Sequence, residues 1–237
     1  MWVYATLLFL SASIPIILSF DKKLHFYKQW KYVIPSILIV AVFYILFDIY
    51  LTKLGVWGFN PRYFSNILLL NLPIEEWLFF IVIPYASIFL HQSLVLYFPR
   101  FQLNHHSSRV LTFVVILSLT IVVLLNTGKA YTVYIFSIMI LSLLLSLFEK
   151  GGVIQRYYLT FLVILIPFIA VNAILTGSFI DKEVVWYNNN ENLGIRFLTI
   201  PIEDFGYAFS LILLNLLLIG KMKQPNIKQI TSKQYVN

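Results

Sequence analysis

The sequence predicts an all-α integral membrane protein, with seven transmembrane helices arranged as two parallel three-helix repeats joined by a linker helix. Three observations lead there. The 237-residue chain is 60% hydrophobic and only 11% charged, a composition outside ordinary globular domains. Seven stretches approach the roughly 20 apolar residues that a helix needs to cross a bilayer. A short acidic motif occurs twice, 128 positions apart, each time at the head of an apolar run.

In order, the stretches cover residues 2–20, 33–51, 73–97, 109–126, 130–148, 157–176 and 201–220. No Lys or Arg precedes the first, and no small-residue cleavage site ends it, so it is expected to be a retained span. Pro15, Pro84 and Pro167 fall inside spans, where each is expected to kink its helix. The two longer loops, 52–72 and 177–200, each lead into an acidic motif. The loop Gly55-Val56-Trp57-Gly58-Phe59-Asn60-Pro61-Arg62-Tyr63 is rich in turn formers and aromatics, and is expected to fold over the carboxylates.

The same offset relates Phe20-Asp21-Lys22 to Phe148-Glu149-Lys150. Allowing a four-residue gap, Asp48 to Thr52 matches Asn172 to Thr176. The chain then divides into a first repeat at 1–108, a linker span at 109–129, a second repeat at 130–220 and a basic tail at 221–237. One intervening helix leaves both repeats with the same orientation, related by an axis along the membrane normal. With the N-terminus outside, 12 of the 17 Lys and Arg fall on the inner side, while eight of the ten acids fall toward the outer side. The net charge of +7 is therefore expected to meet anionic lipid, not nucleic acid. The cytoplasmic membrane is the expected location.

Several chemistries are excluded by inventory. Cysteine is absent, so there is no disulfide framework and no thiolate chemistry. The four histidines, His25, His91, His105 and His106, are too scattered for a histidine-rich metal centre. His91, His105 and His106 are expected near the inner interface. No G-x-G-x-x-G, P-loop or D-x-x-x-D motif occurs. Neither a metal nor a cofactor is expected.

The acidic motifs are Pro73-Ile74-Glu75-Glu76 and Pro201-Ile202-Glu203-Asp204, followed by Trp77 and Phe205. Proline at a helix start and acids in its first turn suit any helix, and Asn71 and Thr199 would serve as N-caps. That accounts for one acid at each place, but not for two side by side. Charge is costly at membrane depth, so paired acids there mark a functional site. Adjacent carboxylates repel, so one of each pair is expected to keep its proton. A carboxylic acid held with its proton in a dry site is what general-acid catalysis needs.

The candidate catalytic residues are therefore Glu75, Glu76, Glu203 and Asp204. Glu75 and Glu203 hold the first acidic position in both copies and are expected to be the most sensitive to substitution. The candidate substrate-binding residues are Asp48, Trp57, Asn60, Tyr63, Phe79, Phe80, Phe205 and Tyr207, and the aromatic ones among them would offer faces that stabilise a cation. On helical spacing, Glu76, Phe80, Ile83 and Ser87 share one stripe, and Asp204, Ala208, Leu211 and Asn215 share another. Both motifs lie at the same ends of equivalent spans, so one composite pocket lined by both repeats is expected.

The motifs Pro73-Ile74-Glu75-Glu76-Trp77-Leu78-Phe79-Phe80 and Pro201-Ile202-Glu203-Asp204 resemble the P-x-E-[ED] motifs of the membrane-integral lycopene cyclases. The segment Trp57-Gly58-Phe59-Asn60-Pro61-Arg62-Tyr63 is similar to the one preceding the first motif in that family. The resemblance covers nearly the whole chain, as two subunits of the heterodimeric type fused through one helix. It implies a lycopene or other carotenoid substrate in the lipid bilayer, whose ψ ends close to ionone rings. Those are normally β rings, giving β-carotene through γ-carotene. Contacts with other carotenoid-pathway membrane enzymes are a further implication. The second unit departs from the first, with Asp204 for the second Glu and Phe205-Gly206-Tyr207-Ala208 for Trp-Leu-Phe-Phe, so equal roles for the two units are not implied. The rival expectation from the residues alone is a proton-coupled transporter or a carotenoid-binding accessory protein.

Overall fold

Helix boundaries in the computed structural model, which describes residues 2–223, follow the apolar runs closely. The elements are α1 (Val3–Leu18), α2 (Trp30–Lys53), β1 (Trp57–Phe59), β2 (Leu68–Leu69), β3 (Leu72–Pro73) and α3 (Ile74–Tyr97). They continue with α4 (His105–Leu125), α5 (Ala130–Leu147), α6 (Val153–Leu175), β4 (Val185–Tyr187), β5 (Arg196–Phe197), β6 (Ile200–Pro201) and α7 (Ile202–Lys223). The chain is a mainly helical, multi-pass membrane protein. Among the described residues, six helices, α2 to α7, are long and apolar enough to cross a bilayer. Residues 224–237 of the expected basic tail lie outside the described residues.

The first span expected from the sequence is shorter in the structure. Helix α1 has 16 residues, roughly 24 Å at 1.5 Å per residue against a hydrocarbon core of about 30 Å. The chain turns after it, because the Asp21 carboxylate accepts the Lys23 and Leu24 amides at 2.9 and 3.0 Å. Those two amides, Leu24 first, hold the Asp21 carboxyl below the usual carboxylate range. The helices run on through Pro15, Pro84 and Pro167.

Neither expected N-cap residue acts as one. Asn71 and Leu70 both have positive φ, 66° and 51°, and form the two-residue turn between β2 and β3, as a type I′ hairpin requires. Helix α3 follows without a spacer, so Pro73 takes the N-cap position and the Ile74 amide donates to the Ile67 carbonyl at 2.9 Å. Before α7, the Ile202 amide donates to the Ile195 carbonyl at 3.0 Å. Thr199 spends its hydroxyl on Thr176 and Ser178, at 2.7 and 2.8 Å.

The two halves make matching contacts. Helix α3 packs on α1 and α2, and α7 packs on α5 and α6. Helix α2 crosses to α7, while α6 crosses to α3. Strands β1 and β4 pair antiparallel, with Gly58 opposite Trp186. Helix α4 lies outside this arrangement, against α5 and α6. A core of Ile37, Ile88, Phe89, Leu143, Tyr157, Phe209 and Ile212 joins the helices. Several polar groups buried between the helices bond one another, as a dry interior favours. Tyr44 donates to Ser210 at 2.8 Å, Ser36 to Asn215 at 2.9 Å, and Tyr157 to the Phe209 carbonyl at 2.9 Å. His91, expected at the interface, is instead buried and bonded to Thr160 at 2.7 Å, because it lies on the stripe of α3 that faces α6.

Starts of α1, α3, α5 and α7 and the end of α2 gather at one end of the bundle, with the paired acids among them. Several basic groups lie at the other. There Lys23 lies 4.3 Å from the Tyr97 ring centre, Arg156 donates to Gln102 at 3.2 Å, and Lys223 bonds Gln29.

Candidate active site

Consecutive residues on a helix point about 100° apart, which divides the work of each acid pair. The first acids face the incoming loops. Glu75 Oε1 accepts the Ser65 amide at 2.7 Å, and Glu203 Oε1 accepts the Leu193 amide at 2.7 Å, each from ten positions upstream. Glu203 Oε1 also accepts from the Thr132 hydroxyl at 2.7 Å. The Oε2 atoms of both are buried and have no hydrogen-bond partner among the described residues.

The second acids face inward. Tyr4, the second residue of α1, donates its hydroxyl to Glu76 Oε2. Tyr131, the second residue of α5, donates to Asp204 Oδ1, and Tyr187 in β4 donates to Oδ2 at 3.0 Å. Burial pushes the Tyr187 phenol well above its ordinary range, and the Asp204 charge pushes it further, so it stays a proton-bearing donor. A third carboxyl comes from α2. Asp48 Oδ1 accepts the Trp57 indole N–H at 2.7 Å and the Thr52 hydroxyl at 3.3 Å, while Oδ2 is buried with no partner among the described residues.

Asp48, Glu76 and Asp204 line one end of a single cavity of about 340 Å³. Its walls there are aromatic: Trp57, Phe59, Phe79, Tyr131, Tyr187 and Tyr207. Trp57 and Tyr131 meet edge to face with ring centres 5.0 Å apart, and Tyr131 and Tyr187 lie 5.5 Å apart. Away from the acids the lining turns aliphatic, with Ile83 and Leu90 from α3 and Leu211 and Ile212 from α7. The cavity reaches the lipid-facing surface between α1 and α6, at Leu10, Ile14, Pro15, Pro167 and Phe168. Leu10 is 60% and Ile14 65% exposed there. The β1–β4 ladder closes the acid end. Its neighbours reinforce it, with the Asn60 amide on the Val184 carbonyl at 2.9 Å and an Arg62–Asp181 ion pair at 3.0 Å.

Of the residues singled out from sequence, Asp48, Trp57, Glu76, Phe79, Asp204 and Tyr207 meet in the cavity. Glu75 and Glu203 stand behind it, in the first turns of α3 and α7, bonded to the loops. Asn60 holds the loop turn, donating to the Glu183 carbonyl at 3.2 Å and accepting the Arg62 amide at 3.1 Å. The Tyr63 carbonyl accepts the Tyr4 amide at 3.2 Å. Phe80 is fully buried against Tyr44 and Tyr207, and Phe205 packs on Phe168 and Phe197. Sequence reasoning missed Tyr4, Tyr131 and Tyr187. A signal existed for the first two, which stand 127 positions apart, each near the head of the first span of its half.

A carboxyl that can lend a proton, a carboxylate that can take one, and aromatic faces in an apolar cavity suit the passage of an apolar molecule through a cation. No curated protein and no solved structure matches the chain. A family model described as Lycopene cyclase does match, over residues 1–94 and again over 128–222. Because that match takes in both halves and passes over the stretch carrying α4 between them, this chain belongs to the lycopene cyclase family.

Proposed function

We propose that this protein closes the ψ ends of lycopene to β rings by redox-neutral acid catalysis, in one composite pocket. A carboxylic acid protonates the terminal double bond. The tertiary cation is attacked by the next alkene, and a carboxylate removes a proton to leave the ring double bond. The observation that carries this reading is that Glu76 and Asp204, from motifs 128 positions apart, line the same aromatic cavity with Asp48. The apolar arm toward the α1–α6 opening suits the remainder of the polyene.

We read the chain as two parallel repeats, 1–108 and 130–220, about a linker span at 109–129. The matching loop bonds to Glu75 and Glu203 and the exchanged packing of α2 and α6 support this. In this reading α1 is the seventh span, its shortness met by local thinning of the bilayer. The acid end faces out of the cytoplasmic membrane and the basic end faces in.

The test is expression of the full chain in a lycopene-accumulating host, with pigments separated by chromatography. Ring-bearing products are expected, with some one-ring product when substrate is in excess, because a single pocket must admit the two ends in turn. Glu76→Gln and Asp204→Asn are each expected to lower formation of the β ring by about a hundredfold or more. Membrane-inserted Glu76→Gln protein with normal turnover would overturn the site. A transporter or a pigment-binding accessory protein would leave lycopene unchanged.

A further inference from the structure

We infer that one position of the β1–β4 ladder, Phe59 in the first half and Tyr187 in the second, decides which carboxyl group gives the proton and which holds the negative charge. This rests on the cyclase reading above. Tyr187 and Phe59 stand 128 positions apart, the offset of the acid motifs, and both line the cavity. The ladder relates them through its centre: Trp57 pairs with Tyr187 and Phe59 with Val185, about Gly58 and Trp186.

The consequence is an unequal supply of donors. Asp204 receives a tyrosine hydroxyl on each oxygen, from Tyr131 and Tyr187. Two charge-assisted acceptor bonds are the pattern of an ionised carboxylate. An oxygen that carried a proton would be a poor acceptor for either phenol. Among the described residues, Glu76 receives Tyr4 alone. The place of a second phenol is taken by Phe59, which has no hydroxyl to give, and no hydrogen bond reaches Glu76 Oε1 among the described residues. That oxygen is free to carry a proton.

A second difference points the same way. The first half supplies Asp48, whose Oδ2 is buried without a partner among the described residues, while the position matched to it in the second half, Asn172, also lines the cavity and has no acid. The first half is thus the proton side and Asp204 the charge side.

The step balances. The O–H of Glu76 breaks as the terminal π pair forms a C–H bond. The next alkene's π pair forms the ring C–C bond and passes the positive charge on. A neighbouring C–H pair becomes the ring double bond while Asp204 accepts that proton. One proton enters and one leaves. Exchange with water between turnovers returns Glu76 to its acid form and Asp204 to its anion. Tyr187 acts through Asp204, and is a positioning residue.

The test uses the full-length chain in membranes with lycopene. Glu76→Gln and Asp204→Asn are each made in the original chain and in a Phe59→Tyr/Tyr187→Phe background. The amount of ring and the position of its double bond are read by chromatography and NMR. In the original chain, Glu76→Gln is expected to abolish rings of every kind. Asp204→Asn still permits protonation, so its residual rings are expected to carry a displaced double bond or a hydroxyl captured from water. In the swapped background these two patterns should exchange. Phe59→Tyr alone should lower kcat about tenfold with KM unchanged, less than the loss of about a hundredfold or more that removing a general acid causes, and adding Tyr187→Phe should restore part of it. Tyr187→Phe alone, the mildest change, should raise the share of displaced double bonds.

An unreversed carboxamide pattern, or a double swap no more active than Phe59→Tyr, overturns the inference and leaves the cyclase reading standing. If neither carboxamide variant altered ring formation in the original chain, the cyclase site itself would fall.

Discussion

Glu75 and Glu76 are adjacent in the chain, yet one bonds a loop amide and the other lines the cavity. The pairing of acids was legible in the sequence, but the division of labour was not. Both acids suit a helix start, and only the path of the upstream loop decides which one it covers. The sequence expectation placed the acid chemistry first on Glu75 and Glu203. The geometry instead gives a sharp contrast between neighbouring substitutions. Glu75→Gln keeps an acceptor oxygen for the Ser65 amide, so ring formation is expected to stay within a few-fold of the original. Glu75→Ala leaves that amide unpaired, which costs about 1–3 kcal/mol. Thermal unfolding in detergent, run beside the pigment assay, separates the two effects. The tyrosines were invisible for a different reason. Among 15 tyrosines in a chain with 17% aromatic residues, those that hold carboxyls look like those that face lipid.

The helices were legible as elements because apolar runs fix them locally. The strands were not. Strands β1 and β4 have three residues each and pair across two loops far apart in sequence. Nothing in Trp57-Gly58-Phe59 alone announces a partner. The pairing depends on a missing side chain. A Cβ on Gly58 would sit 2.4 Å from the Trp186 ring, far inside van der Waals contact. Gly58→Ala is therefore expected to destabilise the protein by about 1–3 kcal/mol through overpacking. Trp186→Ala removes the obstructing ring, so the double variant should be more stable than the sum of the single losses allows. Additive losses in thermal unfolding would show that the ring yields freely.

Across the molecule, composition alone disclosed a multi-pass helical membrane protein, and the repeated motif disclosed a shared acid end. The crossing of α2 to α7 and of α6 to α3 was beyond reach, since hydropathy says which residues avoid water but not which neighbour they meet. It is this crossing that brings Asp48 of α2 beside Asp204 of α7 in one cavity. The two halves also differ at their seams. Between α2 and α5, the rings of Phe47 and Tyr134 stack with centres 4.7 Å apart. Between α1 and α6 the cavity reaches the surface.

That opening, flanked by exposed Leu10 and Ile14, makes the bilayer the solvent from which substrate is drawn. The quantity that governs occupancy is then the mole fraction of carotene among lipids, not its amount per volume of suspension. Surface dilution follows. If lycopene and protein are held in the same vesicles and lipid is added to them, the initial rate below saturation should fall in inverse proportion to the lipid. Diluting the whole suspension with buffer should leave the rate per protein unchanged. A rate that tracked the bulk concentration instead would mean that substrate arrives through water, and that the seam between α1 and α6 is not its door.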